Sequence, residues 1–146
     1  MSRSRREALT SAELRALADF RYQVRRFLRF SEAAARDAGL EPQQHQLLLA
    51  SAAAADGDPL TVGQLAERLQ LRTHSVDELI TRAESNGLVR RKRSADDRRY
   101  VMVEPTAKGR RALDRLADSH RAELRAAAAG LTQALATIGG VPSVEP

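Results

Sequence analysis

The stretch LTVGQLAERLQLRTHSVDELITRAESNGLV (residues 60–89) decides the fold. Thr61 followed three residues later by Gln64 is a capping box: the hydroxyl accepts from the N3 amide while the carboxamide reaches back to the cap. A helix therefore starts at Val62 and buries Leu65, Ala66 and Leu69. Gln70-Leu71-Arg72 is a short break, and Thr73 can cap a second helix. That helix carries Val76, Leu79, Ile80 and Ala83 at i, i+3, i+4, i+7 spacing, and Asn86-Gly87 ends it with residue types that tolerate a left-handed backbone. Two short helices across a tight turn make a helix-turn-helix, although no glycine sits in the turn.

Downstream, Leu88–Arg93 and Arg99–Glu104 read as strands, with Ser94–Arg98 the loop between them. A hairpin after a helix-turn-helix is a wing. Pro105 ends it, and Thr106 caps a long helix to about Ala129. Gly130 is expected to interrupt that helix, leaving a last short one over Leu131–Ile138. Upstream, Ser11 is the expected N-cap of a helix reaching about Arg36, with Gly39 just beyond its end. Pro42 sits well in the first turn of a second helix running to about Ala55, and Asp56-Gly57-Asp58-Pro59 is a turn signal. Residues 1–10 read as a flexible basic arm and 139–146 as a tail.

The 146 residues amount to one domain's worth of chain, with 24 Lys+Arg against 19 Asp+Glu, a net charge of +5. Residues 88–99 alone hold six basic residues against Asp96 and Asp97, a local balance of +4. Such a run favours an acidic partner. Four of the five aromatics (Phe20, Tyr22, Phe27, Phe30) fall in the 11–36 helix on different faces, so that helix is expected to bury more than one side, against a partner subunit as well as its own core.

The absence of cysteine removes disulfide scaffolds, Cys-ligated zinc or iron–sulfur sites and thiol nucleophiles. The longest apolar run, Ala52 to Ala55, is far short of the roughly 18 residues that span a bilayer, and no apolar stretch follows the basic N-terminus. A soluble cytoplasmic protein with no membrane partner is the expectation. His45, His74 and His120 are too scattered for a metal site, so no metal and no cofactor is expected. No Ser-His-Asp order, phosphate loop or paired-carboxylate motif is present, so no catalytic residue is assigned and an enzyme is not expected.

With these pieces in place, the chain resembles the MarR family of bacterial transcriptional regulators. LEPQQHQLLLA (40–50), LTVGQLAERLQL (60–71), RAESNGLVRRKRSADDRR (82–99) and VEPTAKGRRAL (103–113) carry the resemblance over about residues 11–138. Within them Gly-Leu-Val, Asp-Asp-Arg-Arg and Thr-Ala-Lys-Gly recur in order and at the expected spacing. The resemblance implies a mainly α fold with a small β-hairpin wing. Residues 41–105 would form the winged helix-turn-helix DNA-binding lobe, and 11–40 with 106–138 a helical dimerisation lobe. It further implies an obligate homodimer that sets two recognition helices in successive major grooves of a palindromic double-stranded operator, roughly 34 Å apart.

On this reading the helix Thr73–Asn86 enters the major groove, with Arg72, Thr73, His74 and Ser75 best placed to reach base edges or phosphates. Asp77, Glu78 and Arg82 lie on the same outer face. The family often carries Thr and a basic residue where Asp77 and Glu78 stand, so either acid accepts from a cytosine N4 or holds a nearby arginine. Arg98 and Arg99 at the wing tip suit a narrow minor groove. The family's Asp-x-Arg pattern falls on Asp97 and Arg99, with Asp97 orienting the guanidinium. Arg91 and Arg93 are candidate phosphate contacts, since strand alternation lets only some of residues 90–93 face DNA.

The family commonly senses small aromatic or phenolic anions in a pocket between its lobes. Arg21 and Phe27 on the first helix and His45 and Leu49 on the second are the candidates. The peroxide-sensing branch requires cysteine and is excluded. The implied function is a homodimeric repressor released by such a ligand. The alternatives are a ligand-independent activator or architectural DNA-binding protein, and a basic helical adaptor for protein or RNA.

Overall fold

The fold is mainly helical, with the helices α1 (Ser11–Asp37), α2 (Pro42–Ala52), α3 (Val62–Leu69), α4 (Thr73–Ser85) and α5 (Ala107–Gly139). The strands β1 (Leu60–Thr61), β2 (Val89–Arg93) and β3 (Val101–Pro105) form an antiparallel sheet in the order β1-β3-β2. The computed structural model describes residues 7–54 and 58–140. Residues 1–6 of the expected arm, Ala55, the Asp56-Gly57 half of the expected turn, and 141–146 of the tail lie outside the described residues.

The chain divides into two units. One takes residues up to Ser31 and from His120 onward, and the other is Glu32–Ser119. The second unit holds the hydrophobic core. Leu47 and Leu48 from α2, Leu65 from α3, Val76, Leu79 and Ile80 from α4, and Val89 and Val103 from the hairpin are all essentially removed from solvent. Each such side chain stabilises the fold by about 1.5–3 kcal/mol. The i, i+3, i+4, i+7 stripe of α4 faces this core, which leaves the opposite face of the same helix exposed.

Three helix ends in this unit close in the same way. Leu40 N–H bonds Ala35 O, Leu71 N–H bonds Ala66 O and Leu88 N–H bonds Ala83 O, each past one left-handed residue. That residue is Gly39 (φ 80°) after α1 and Gly87 (φ 72°) after α4. After α3 it is Gln70 (φ 53°), the one non-glycine with positive φ among the described residues. The turn of the helix-turn-helix therefore needs no glycine. Gln70 takes the left-handed conformation at a cost of about 1–2 kcal/mol, and its Nε2 donates to Glu67 O at 2.6 Å.

The capping box at α3 forms as the spacing predicts. Gln64 N–H donates to Thr61 Oγ1 at 3.1 Å and Thr61 N–H to Gln64 Oε1 at 2.9 Å. Thr61→Ala is expected to lower stability by about 1 kcal/mol, read as a fall in the urea midpoint with unchanged slope.

Three expectations about elements need correction, and one strand was not foreseen. The N-cap of α1 is Thr10, whose hydroxyl accepts from Glu13 N–H while Glu13 Oε2 accepts from Thr10 N–H at 2.7 Å; Ser11 is already helical. Thr73 is likewise inside α4, because Arg72 holds the extended cap backbone and no side chain caps it. β1, only two residues long, carried no periodicity to read and forms through its pairing with Val103 and Met102 of β3. Gly130 does not interrupt the last helix: α5 runs unbroken for 33 residues. Glycine lowers helix propensity by about 1 kcal/mol but keeps its backbone hydrogen bonds, and good helix formers surround it. A Cβ at Gly130 would lie 2.9 Å from Gln23 Nε2, the far end of a flexible side chain on α1.

The first unit is poor in buried side chains. Its buried apolar residues among those described are Ala16, Ala127 and Ala134. His120 sits edge-on to Phe27 and Phe30, with ring centroids 6.1 and 5.5 Å away, and shares a 2.8 Å hydrogen bond with Ser31 Oγ. Leu14, Leu17, Tyr22, Leu28, Leu124, Leu135 and Ile138 remain exposed, and Leu9 is exposed ahead of α1. No helix among the described residues is long and apolar enough to cross a membrane.

Candidate nucleic-acid interface

The outer face of α4 presents Arg72, Thr73, His74, Ser75, Asp77, Glu78, Thr81 and Arg82 to solvent. Three side-chain contacts hold residues of this face. His74 Nε2 lies 3.3 Å from Glu78 Oε1, one turn along the helix. Arg82 Nε lies 3.5 Å from Glu41 Oε2. Asp77 accepts from Arg91 of β2, and this last contact is the most developed of the three.

Strand alternation sends Arg90 and Arg91 of β2 to opposite faces. Arg90 Nε bonds Glu104 Oε1 at 2.6 Å, across the ladder from its register partner. Arg91 turns to α4: its Nη1 donates to Asp77 Oδ1 at 2.7 Å, its Nη2 to Thr81 Oγ1 at 2.9 Å and to Asp77 O at 3.1 Å. Its backbone N–H donates to Glu84 Oε2 at 3.2 Å. The Arg91 guanidinium thereby straps the wing to α4. Asp77, expected among the DNA contacts, is spent on an arginine also expected there. Asp77→Ala is expected to strengthen duplex binding and to steepen its salt dependence by up to about one unit, because Arg91 becomes available to phosphate. Were Asp77 reading a cytosine, the same change would weaken binding to the operator.

At the wing tip, Asp97 and Arg99 form a closed clasp. Arg99 Nε donates to Asp97 Oδ1 at 3.0 Å, Nη2 to Oδ2 at 2.6 Å, and the Arg99 backbone N–H to Oδ1 at 3.1 Å. The Arg99 side chain and backbone bonds hold the Asp97 carboxyl below the usual carboxylate range, against a small opposing effect of burial. The carboxylate in turn raises the Arg99 guanidinium above its ordinary value. Arg99 is 83% exposed, so the clasp orients a guanidinium that stays open to a partner. Arg93 Nη1 donates to Arg98 O at 2.8 Å and ties the strand to the loop. Lys92 and Arg98 are exposed and have no ion-pair partner among the described residues.

The proposed effector contacts are divided between the two units. Arg21 is exposed and Phe27 half-buried in the first unit, while in the second His45 is buried and Leu49 is 48% exposed. No group of three metal-ligating side chains occurs among the described residues. A feature with no signal in the sequence is Gln44 in the first turn of α2. It is fully buried, and its Nε2 has no hydrogen-bond partner among the described residues. A buried polar group left unmade costs about 1–3 kcal/mol. Gln44 lines a cavity of about 280 Å³ within the second unit, together with Lys108 and Arg115.

Comparison with known proteins follows this geometry. Residues 38–99, from the end of α1 through the wing tip, match the MarR family. The chain is 33% identical over 102 residues to YcgE, an uncharacterised HTH-type transcriptional regulator of Bacillus subtilis. That alignment spans 70% of this chain and 64% of YcgE. Among solved structures, AbsC, a MarR family regulator from Streptomyces coelicolor, superposes with a TM-score of 0.70 at 24% identity, covering 92% of this chain and 96% of AbsC. Sco3205 from the same organism, a MarR family regulator solved in complex with DNA, gives a TM-score of 0.66 at 24% identity over 85% of this chain and 78% of Sco3205. These two structural likenesses are likenesses of fold.

Proposed function

This chain belongs to the MarR family, and from that premise we propose that it is a homodimeric, sequence-specific regulator of transcription that binds a palindromic double-stranded operator. The observation that carries the reading is the joint placement of an exposed polar helix face on α4 and a clasped Arg99 at the wing tip. The Arg91 strap joins the two elements, so one docking event engages both. Arg72, Thr73, His74 and Ser75 supply major-groove contacts, with Arg82 beside them. Arg98 and Arg99 supply the minor-groove grip, supported by Arg93. The fold of Sco3205, solved on DNA, supports the same placement.

Dimerisation is supported by the first unit. Eight of the ten large exposed hydrophobic side chains lie there, from Leu9 to Ile138, around a core of buried alanines. An apolar surface of that extent on a helical pair fits a second copy of itself. The proposed regulatory sign is repression relieved by a small aromatic or phenolic ligand, with Arg21, Phe27, His45 and Leu49 as its contacts.

The test is fluorescence anisotropy on a duplex taken from the region upstream of the protein's own gene. Saturable binding by a dimer, out-competed poorly by unrelated duplex and released by phenolic compounds, is the expected result. Equal affinity for unrelated duplex would overturn the operator reading, and binding unaffected by any phenolic compound would overturn the effector reading.

A further inference from the structure

We propose that Tyr100 is a second wing contact to duplex DNA, seated on the sugar–phosphate rim of the minor groove that Arg99 enters. This inference rests on the DNA-binding reading above and deepens it. Four of the chain's five aromatic residues lie in α1. Tyr100 is the one that falls within the second unit, and it stays out of that unit's core. It is 52% exposed, and its hydroxyl bonds no other described residue. Its backbone is nonetheless fixed. Tyr100 N–H donates to Asp97 O at 3.1 Å, and Ser94 N–H donates to Tyr100 O at 3.0 Å, which closes the wing loop. Asp97 is also the residue whose carboxylate clasps Arg99. The ring therefore leaves the chain at a pinned position, and its centroid lies 6.0 Å from the Arg99 guanidinium carbon.

The width of the groove divides the two side chains. A minor groove is about 6 Å wide, and it admits a guanidinium with no room for a phenol ring beside it. With Arg99 in the groove, the ring is left at its edge, where deoxyribose carbons and phosphate oxygens lie. A phenol suits that boundary. Its ring covers sugar carbons while its hydroxyl donates to a phosphate oxygen. Such a contact reads no base; it fixes how deep and at what tilt the neighbouring guanidinium sits. Tyr22 is a matched counterpart elsewhere in the chain. It is 53% exposed, and the Arg26 guanidinium carbon lies 5.8 Å from its ring centroid, but it belongs to the first unit. The two tyrosines share exposure and an arginine neighbour, and only Tyr100 has the pinned place on the wing.

The chain has two tyrosines, so 3-fluorotyrosine gives the full-length protein two ¹⁹F lines, and the line lost in Tyr100→Phe belongs to Tyr100. The labelled protein is titrated with the duplex from upstream of its own gene, with anisotropy of that duplex recorded in parallel. The Tyr100 line is expected to move saturably along with the anisotropy, and the Tyr22 line to stay in place. Tyr100→Phe, which keeps the ring, is expected to weaken binding about fivefold. The salt slope should not change, because a neutral hydroxyl releases no counterion. Tyr100→Ala should weaken binding further, by about tenfold or more. A Tyr100 line that stays put while anisotropy reports saturable binding overturns the proposal and leaves the regulator reading standing. Equal movement of both lines does the same, as does wild-type affinity in Tyr100→Phe. A chain that leaves the anisotropy of every duplex unchanged overturns both readings together.

Discussion

Arg99→Ala is expected to weaken duplex binding by roughly ten- to a hundredfold and to lower the slope of log affinity against log salt by about one unit. The residue is both oriented and open: hydrogen bonds to Asp97 fix its fork, and most of its surface remains in solvent. Part of the ordering cost of binding is thus met before DNA arrives. Asp97→Asn separates orientation from charge. It should cost less affinity and leave the salt slope unchanged, because the guanidinium is still present. The pH behaviour follows from the lowered Asp97 carboxyl. The clasp is present above the usual carboxylate range and is lost only as pH falls through the lowered value. Between about pH 6 and 8 it contributes no pH dependence to binding. Unchanged affinity of Arg99→Ala across a salt titration would remove the wing from the interface.

Gly109→Ala is expected to be the most damaging small substitution, lowering stability by about 3 kcal/mol. Gly109 lies in the first turn of α5 against the second unit's core. A Cβ there would collide with the Leu88 carbonyl oxygen and stand 2.8 Å from Leu48 Cδ2. The carbonyl cannot swing aside, because it accepts from Thr106 N–H at 3.0 Å and Thr106 Oγ1 at 3.2 Å. Leu48 is fully buried and has nowhere to move. The control is Gly63→Ala, at a helical glycine whose nearest neighbour is Thr61 Oγ1 at 4.0 Å. That change should be neutral or stabilise by about 0.5–1 kcal/mol. Urea denaturation of both variants measures the contrast, and equal midpoints for Gly109→Ala and wild type would overturn the packing argument.

The parts of the fold legible in the sequence are those whose signals are local. The Thr61–Gln64 box, the apolar stripe of α4 and Asn86-Gly87 each act within one or two turns, and the structure forms them as read. The Asp97–Arg99 clasp spans two residues and was equally readable. The Thr10–Glu13 box carries the same signature, one residue ahead of the equally plausible cap Ser11. The Arg91 strap could not be read, because Asp77 lies 14 residues away and its partner depends on where β2 docks. Sequence leaves this acid to accept from a cytosine or to hold some arginine, and packing places Arg91 on it. Gln44 is the extreme case. It looks like any polar residue in a helix's first turn, and only burial among α2, α4 and α5 makes its unmet amide a chemical feature.

The thin interior of the first unit, whose fully buried apolar residues among those described are all alanine, carries a consequence for how the protein behaves in a cell. Among its described residues only three alanine methyls are fully buried, with Phe27 and Phe30 half-buried beside His120, which is little apolar surface to set against the chain entropy of holding two long helices together. In the proposed dimer, that deficit is made up by the second copy, so this unit and the assembly order in a single concentration-dependent step. Dilution would then act as a denaturant on these helices while sparing the other unit. A cell that lets the copy number fall would lose the spacing between its two recognition helices before it loses either helix.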